Sequence, residues 1–158
     1  NIPRERSLAE RLFQVFKTCA KPVVALSSLP EEKIPAYGIV GVEKIASRLH
    51  KIKNIIEKPA LKDAPSNLAI VGRYVLTPEV FFYLKKAKPL VKGELILAEV
   101  FNNWMIREGK IIYGYEFAGN WLECGDKLKW LKSNLYFSLR HPVYGPELKS
   151  YLKSLKLK

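Results

Sequence analysis

Residues 22–29 (Pro22-Val23-Val24-Ala25-Leu26-Ser27-Ser28-Leu29) form a short, mostly apolar run directly behind a helix-patterned segment. No other stretch limits the architecture as much. A run of this length reads as a buried strand. Ahead of it, Ser7 and Glu10 have capping-box spacing, in which each side chain satisfies a free backbone N–H at a helix start. Leu8, Leu12, Val15, Phe16 and Cys19 then recur on one helical face. Helix followed by buried strand predicts a layered α/β fold.

The rest of the chain continues that alternation. Pro30 and Pro35 bracket a polar loop, and Tyr37–Val42 and Leu49–Ile56 have strand character. Pro59 and Pro65 bracket a second loop, 60–64, and 67–76 is another β-rich run. Thr77 as cap and Pro78 at the first helical position predict a helix to about Lys86. A further helix is predicted over 94–106, ending near Gly109, then a strand over 111–117. Asp126 is placed to cap a helix from Lys127 to about Leu139, and Pro146 to open the last one. The expected architecture is an open α/β sheet of mixed strands with flanking helices. Such sheets bind ligands beyond the carboxyl ends of strands. Two loops qualify: one after Ile56 that begins Glu57-Lys58-Pro59, and one spanning 119–126.

The 158 residues suffice for one domain with a sizeable core. No apolar run approaches bilayer length and no signal segment opens the chain, so no membrane partner is expected and the cytoplasm is the expected compartment. Cys19 and Cys124 have no pairing or zinc-site pattern, and Cys124 is expected to be a packed thiol. His50 is expected to face solvent and His141 to end a helix; neither belongs to a nucleophile pattern. Trp104, Trp121 and Trp130 sit among apolar neighbours and are expected in the core. The net charge of +12 favours anionic partners. From Lys127 to Lys158, seven Lys and one Arg against one Glu give +7, read as a solvated basic helical face. Tyr144, Leu148, Tyr151, Leu152 and Leu155 fall at helical spacing and are expected to form a buried stripe, continuing toward Leu157. Nucleic acid is therefore not the expected partner, although a basic nucleic-acid binder stays open as a further class.

Glu57-Lys58-Pro59 places an acceptor and a cation at a strand end, closed by a residue that stops the ladder. A carboxylate accepts from sugar hydroxyls, and an ammonium holds a phosphate as a point charge. An exposed ion pair would use the same residues. The context is more specific. Glu57-Lys58-Pro59 is followed after five residues by Pro65-Ser66-Asn67-Leu68-Ala69-Ile70-Val71-Gly72-Arg73-Tyr74-Val75-Leu76-Thr77-Pro78. Tyr37-Gly38-Ile39-Val40 lies upstream; Gly93-Glu94, Tyr115-Glu116-Phe117, Gly119, Cys124-Gly125-Asp126-Lys127-Leu128, Lys132-Ser133-Asn134 and Leu139-Arg140-His141-Pro142 follow in order. That ordered set closely resembles the bacterial UTP–glucose-1-phosphate uridylyltransferases across nearly the whole chain.

The resemblance implies the C-terminal part of a Rossmann-like nucleotide-diphospho-sugar transferase fold, with residues 1–158 as the sugar-phosphate-binding half and a helical region from about 126 to 158. It implies that Gly38 lets backbone approach the sugar, that Glu57 binds glucose hydroxyls, and that Lys58 contacts the sugar-linked phosphate as the one catalytic side chain in this half. The backbone at Ile70 would face the sugar ring, and Asn67 would shape its loop. Glu123 stands where the family has an aspartate ligand to catalytic Mg2+, and reads either as that ligand or as a surface carboxylate. The implied reaction joins UTP and glucose 1-phosphate into UDP-glucose and pyrophosphate by direct in-line attack, needing no covalent nucleophile.

The family's glycine-rich phosphate loop is not found in these residues, and the chain opens on Asn1 rather than Met. The expectation is thus that the nucleotide half lies upstream or on a partner, and that this part is inactive alone. Besides Glu123, the chain has Ile96, Ala98 and Glu99 where the family usually has Gln, Thr and Asp. Besides the nucleic-acid binder, two readings stay open beside the uridylyltransferase: a thymidylyltransferase-type sister and a non-catalytic assembly or regulatory module. Self-association as a homo-oligomer is also expected, partly through the C-terminal stripe, Leu148 to Leu157.

Overall fold

In a computed structural model of the chain, residues 7–87 and 95–155 are described. Gly93 and Glu94, Leu157 and the Trp104 side chain lie outside that description. The chain divides into two compact units, Asn1–Gly119 and Asn120–Lys158.

The first unit opens with α1 (Leu8–Cys19), whose capping box is closed on both sides. Glu10 N–H donates to Ser7 Oγ at 3.2 Å, and Ser7 N–H donates to Glu10 Oε2 at 2.7 Å. Strand β1 (Val23–Ser28) follows, then β2 (Gly38–Lys44), β3 (Leu49–Glu57) and β4 (Leu68–Val75). Next come α2 (Glu79–Lys86), the short α3 (Leu97–Val100) running into a π-helical turn over Phe101–Ile106, and β5 (Tyr113–Glu116). Thr77 does not cap α2 with its side chain: its carbonyl accepts from Val80 N–H at 3.1 Å, while the buried hydroxyl takes no hydrogen bond among the described residues.

The sheet is mixed and flanked by helices, but it is not open. Its order is β1-β4-β2-β3-β5, and β5 pairs parallel with β1 and antiparallel with β3, closing the ring. β1 explains why its sequence is apolar without alternation. Val24 and Leu26 join the main core with Val40, Ile52, Ile55 and Ile70 of the other strands and Val80, Tyr83, Phe101 and Met105 of α2 and the α3 segment. Val23 and Ala25 point the other way and pack with Leu12 of α1. A strand covered on both faces needs no polar side.

Four expectations about side-chain burial fail in this unit or its neighbour for identifiable reasons. His50 is buried rather than solvent-facing, because it shares a strand face with Ile52; its Nε2 lies 3.4 Å from Glu116 Oε2. In the second unit, α4 (Lys127–Arg140) and α5 (Gly145–Ser154) are too few elements to cover every apolar residue they carry. Tyr144 and Tyr151 are exposed and Leu148 and Leu152 only half-buried, so the stripe is not buried; Trp130 is exposed rather than in the core, and Cys124 is exposed rather than packed. Asp126 caps α4, its Oδ1 accepting from Lys129 N–H at 2.8 Å. Both cysteines are free, and among the described residues no helix is long and apolar enough to cross a membrane.

The closed core sets a testable contrast. Leu26→Ala, at a fully buried position in the ring, should lower unfolding free energy by about 2–5 kcal/mol in denaturant melts. Phe81→Ala, on the exposed face of α2, should change it by less than about 0.5 kcal/mol.

Candidate functional site

The site is set by strand register. In the β2–β3 ladder Gly38 faces Glu57, Val40 faces Ile55 and Gly41 faces Asn54, but Val42 faces Ile52, leaving Lys53 as an extra residue in β3. A one-residue bulge reverses which side chains face inward. Ile52 and Ile55, an odd number of residues apart, therefore both reach the core, and Glu57 follows Ile55 onto the same face. The Ile55 N–H is taken by Asn102 Oδ1 from the π-helical turn, at 3.0 Å. On β4, which pairs with β2 through Ile39 and Ala69, Ile70 shares that inward side.

Gly38 keeps this corner open. A Cβ built there would stand 2.8 Å from Glu57 Oε2 and 3.9 Å from Ile70 Cδ1. The Glu57 carboxylate thus lies over the glycine, beside the Ile70 side chain. Around it is a cavity of about 240 Å3, lined also by Tyr37 and Tyr74 and, from the start of α3, by Ile96, Leu97 and Ala98. That is below the roughly 300–1,000 Å3 typical of drug-sized ligand sites and is on the scale of a single sugar ring. Burial pushes the Tyr74 phenol above its ordinary value, and the nearby Glu57 charge adds to the shift. Its hydroxyl therefore remains protonated at neutral pH. A carboxylate acceptor beside a phenol O–H suits a ligand bearing several hydroxyls.

Of the residues singled out in the sequence, Gly38, Glu57 and Ile70 come together at this cavity. Lys58, next to Glu57, is exposed and does not line it. Its backbone takes a left-handed conformation, φ 47°, while its N–H donates to Tyr37 O at 3.1 Å as the last rung of the ladder. Such a conformation costs a non-glycine residue on the order of 1 kcal/mol. Asn67 also lies off the cavity: its Nδ2 donates to Ser28 Oγ at 2.9 Å, and its carbonyl accepts from Leu29 N–H at 2.9 Å, joining the start of β4 to the end of β1. Glu123 belongs to the second unit, where its carboxylate pairs with Lys129 Nζ at 2.5 Å and its carbonyl accepts from Ser133 Oγ at 2.7 Å. Tyr37 and Tyr74 carried no assigned role in the sequence. Counting by twos from Ile70 along β4 would have found Tyr74, and Tyr37 directly precedes Gly38.

The fold thus combines a mixed, helix-flanked sheet with a small polar cleft at a strand end. Residues 7–136 match the family described as nucleotidyl transferase, and the chain belongs to that family. It is 32% identical to UTP–glucose-1-phosphate uridylyltransferase 2 of Streptococcus pyogenes serotype M3 over 154 residues, which cover 97% of the chain and 51% of that relative. A UTP-bound UGPase from Acinetobacter baumannii superposes with TM-score 0.80 at 29% identity, covering 93% of this chain and 50% of that one. A UDP-glucose pyrophosphorylase complexed with UDP-glucose gives TM-score 0.75 at 31% identity, with 83% and 49% covered. The chain thus spans about half the length of the relatives it matches.

A divalent metal is general in that family. Among the described residues no three His, Cys, Asp or Glu side chains gather into a metal-holding group. The lone candidate Glu123 is already paired with Lys129. Near-octahedral Mg2+ needs several hard oxygen ligands, so Glu123 does not form a site by itself.

Glu57→Gln should lower the pH at which Tyr74 titrates, while leaving it above the ordinary tyrosine value because burial persists. Tyrosine ring signals followed by NMR through alkaline pH would read this; no movement would separate the two side chains.

Proposed function

We propose that this chain supplies the sugar-phosphate-binding half of a nucleotidyltransferase that makes UDP-glucose and pyrophosphate from UTP and glucose 1-phosphate, acting in the cytoplasm. The relatives' names support the reaction and family membership supports the class. The observation that carries the reading is the meeting of Gly38, Glu57 and Ile70 around a cavity sized for one sugar ring. In this reading Glu57 accepts from ring hydroxyls, Gly38 and the Ile70 backbone let the ring sit close to the strands, and Asn67 fixes the loop leading into β4. Lys58, the catalytic side chain of this half, holds the phosphate from the rim as a mobile point charge. Its exposure suits that task, because a phosphate projecting from a one-ring cavity meets charge outside it.

The nucleotide is held by a part of the enzyme beyond these residues. Mg2+ belongs to the same reading, with Glu123 offered as one ligand and the others contributed from elsewhere. In-line displacement depends on positioning and charge neutralisation, so this half needs no nucleophile of its own. A second copy of the chain is the proposed protein partner. Leu128, Leu131 and Leu135 form an exposed stripe on α4 at the spacing of a helix-packing seam. The Glu123–Lys129 pair favours one alternative, a non-catalytic module of the same family. Supplying a nucleotide-binding half in trans decides between them by whether UDP-glucose is formed.

Titration calorimetry tests the binding claim. Glucose 1-phosphate should bind the wild-type chain saturably, and Glu57→Gln should weaken it by about tenfold, as expected for one lost charge-assisted hydrogen bond. Lys58→Ala should weaken glucose 1-phosphate but leave free glucose unaffected. Identical isotherms for wild type and Glu57→Gln would remove the cavity from sugar recognition.

A further inference from the structure

Among the described residues, β3 is flanked by strands on both edges only at its start. β5 pairs with Leu49, His50 and Lys51, and the next bond on that edge runs from Ile52 N–H to Ile112 O at 2.9 Å. Farther along, the acceptor is a side chain: Ile55 N–H donates to Asn102 Oδ1 at 3.0 Å. N–H groups on one edge of a regular strand recur every second residue. Ile52 and Ile55 are three apart, which is the Lys53 bulge seen in hydrogen bonds. Asn102 therefore grips β3 just past its irregular point, two residues before Glu57. It stands on the π-helical turn that continues α3, whose Ile96, Leu97 and Ala98 line the cavity. Phe101 and Met105 on the same turn are fully buried in the core. One amide thus ties a firmly packed turn to the strand that carries the carboxylate.

Resting on the reading that Glu57 binds the sugar, we propose that Asn102 is a positioning residue for that site: its side-chain carbonyl holds the β3 bulge in place and so keeps Glu57 on the cavity face, opposite Gly38. Ile55 is only 5% exposed, so its N–H has little access to water. Without the Oδ1 acceptor that N–H goes unpaired until the strand shifts. A slip of one residue removes the bulge and turns Glu57 to the other face. Asn102 does not itself line the cavity, so its effect passes through Glu57.

The test is calorimetric titration of the 158-residue chain with glucose 1-phosphate. Asn102→Ala removes the acceptor and should weaken binding about tenfold, the loss expected from Glu57→Gln. Asn102→Asp keeps an oxygen at the same place and should bind within about twofold of wild type. Adding Asn102→Ala to Glu57→Gln should cost less than about a further twofold, because the carboxylate it positions is already gone. The phenol gives a second reading. The Glu57 charge helps raise Tyr74 above its ordinary value, so Asn102→Ala should lower the pH at which Tyr74 titrates by NMR, and Asn102→Asp should not. Asn102→Leu fills the amide's space without an acceptor and stands in if the alanine variant is unfolded by far-ultraviolet circular dichroism. The proposal is overturned if a folded acceptor-free variant binds like wild type, or if its loss is as large in the Glu57→Gln background. It is also overturned if Asn102→Asp loses as much as Asn102→Ala, or if neither acceptor-free variant folds, which would make Asn102 a determinant of the fold. Binding indifferent to Glu57→Gln overturns the sugar-site reading itself and this inference with it.

Discussion

One extra residue in β3 decides what the rest of the molecule can present to a ligand. With strict alternation, a strand that buries Ile52 would bury Asn54 and Ile56 and turn Ile55 and Glu57 outward. Lys53, unpaired between Gly41↔Asn54 and Val42↔Ile52, shifts the alternation by one. Ile55 then enters the core, and Glu57 lands on the inward face opposite Gly38. The bulge is accommodated locally. Lys53 extends outward to pair with Glu43 at 2.6 Å, and Gly41 has no Cβ to collide with Asn54 Oδ1. A β-carbon at Gly41 would obstruct the bulge and, through it, the position of Glu57 some way along the strand.

Local signals made much of the fold readable before any coordinates. The Ser7–Glu10 box, the Asp126 cap and the apolar run of β1 each describe interactions between residues close in sequence, or a face covered whatever the topology. Closure of the sheet was not readable in this way. It depends on Tyr113–Glu116 finding both Val23–Leu26 and Leu49–Lys51, pairings separated by some sixty to ninety positions, which no local pattern records. The same holds for Asn102, a polar residue in an apolar helix whose purpose appears only when its Oδ1 meets the Ile55 N–H. His50 is buried because it stands two residues before Ile52 on the same strand face, a placement set by the pairing of β3 with β2 and β5. At the site, Gly38, Glu57 and Ile70 were legible through family resemblance; the aliphatic wall was visible only as missing polar residues until α3 brought Ile96 and Ala98 to the cavity.

The charge distribution bears on how such a site is filled. The chain carries +12 overall, yet among the described residues lining the cavity the side chain charged at neutral pH is a carboxylate, Glu57. Long-range attraction and short-range recognition are thus assigned to different groups. The positive field concentrates an anionic ligand near the surface and is screened within about 8–10 Å at physiological salt. In the proposed reading Glu57 would act only on contact, on hydroxyls rather than on the anion. A carboxylate there would repel a phosphate placed inside the cavity, so a sugar phosphate bound as proposed would have its ring inward and its phosphate outward, toward Lys58.

Backbone irregularity near the cavity follows from local bonding. Gly72, with φ 70°, lines the cavity, and Lys58, with φ 47°, follows directly on Glu57. The β3 bulge lies four residues before Glu57. The π-helical turn begins three residues after Ala98, at Phe101. Unusual backbone at non-glycine positions costs about 1–3 kcal/mol each and persists only where surrounding packing enforces it. Burial alone does not require Lys58 to be left-handed, since an exposed residue could end the strand in many ways. Other departures have local explanations away from the cavity: Ala20, with φ 50°, closes the C-terminus of α1 with its N–H on Phe16 O, and the register of β1 against β4 shifts between Val24 and Leu26; at Lys58 it is the N–H bond to Tyr37 O, beside Glu57, that holds the left-handed turn.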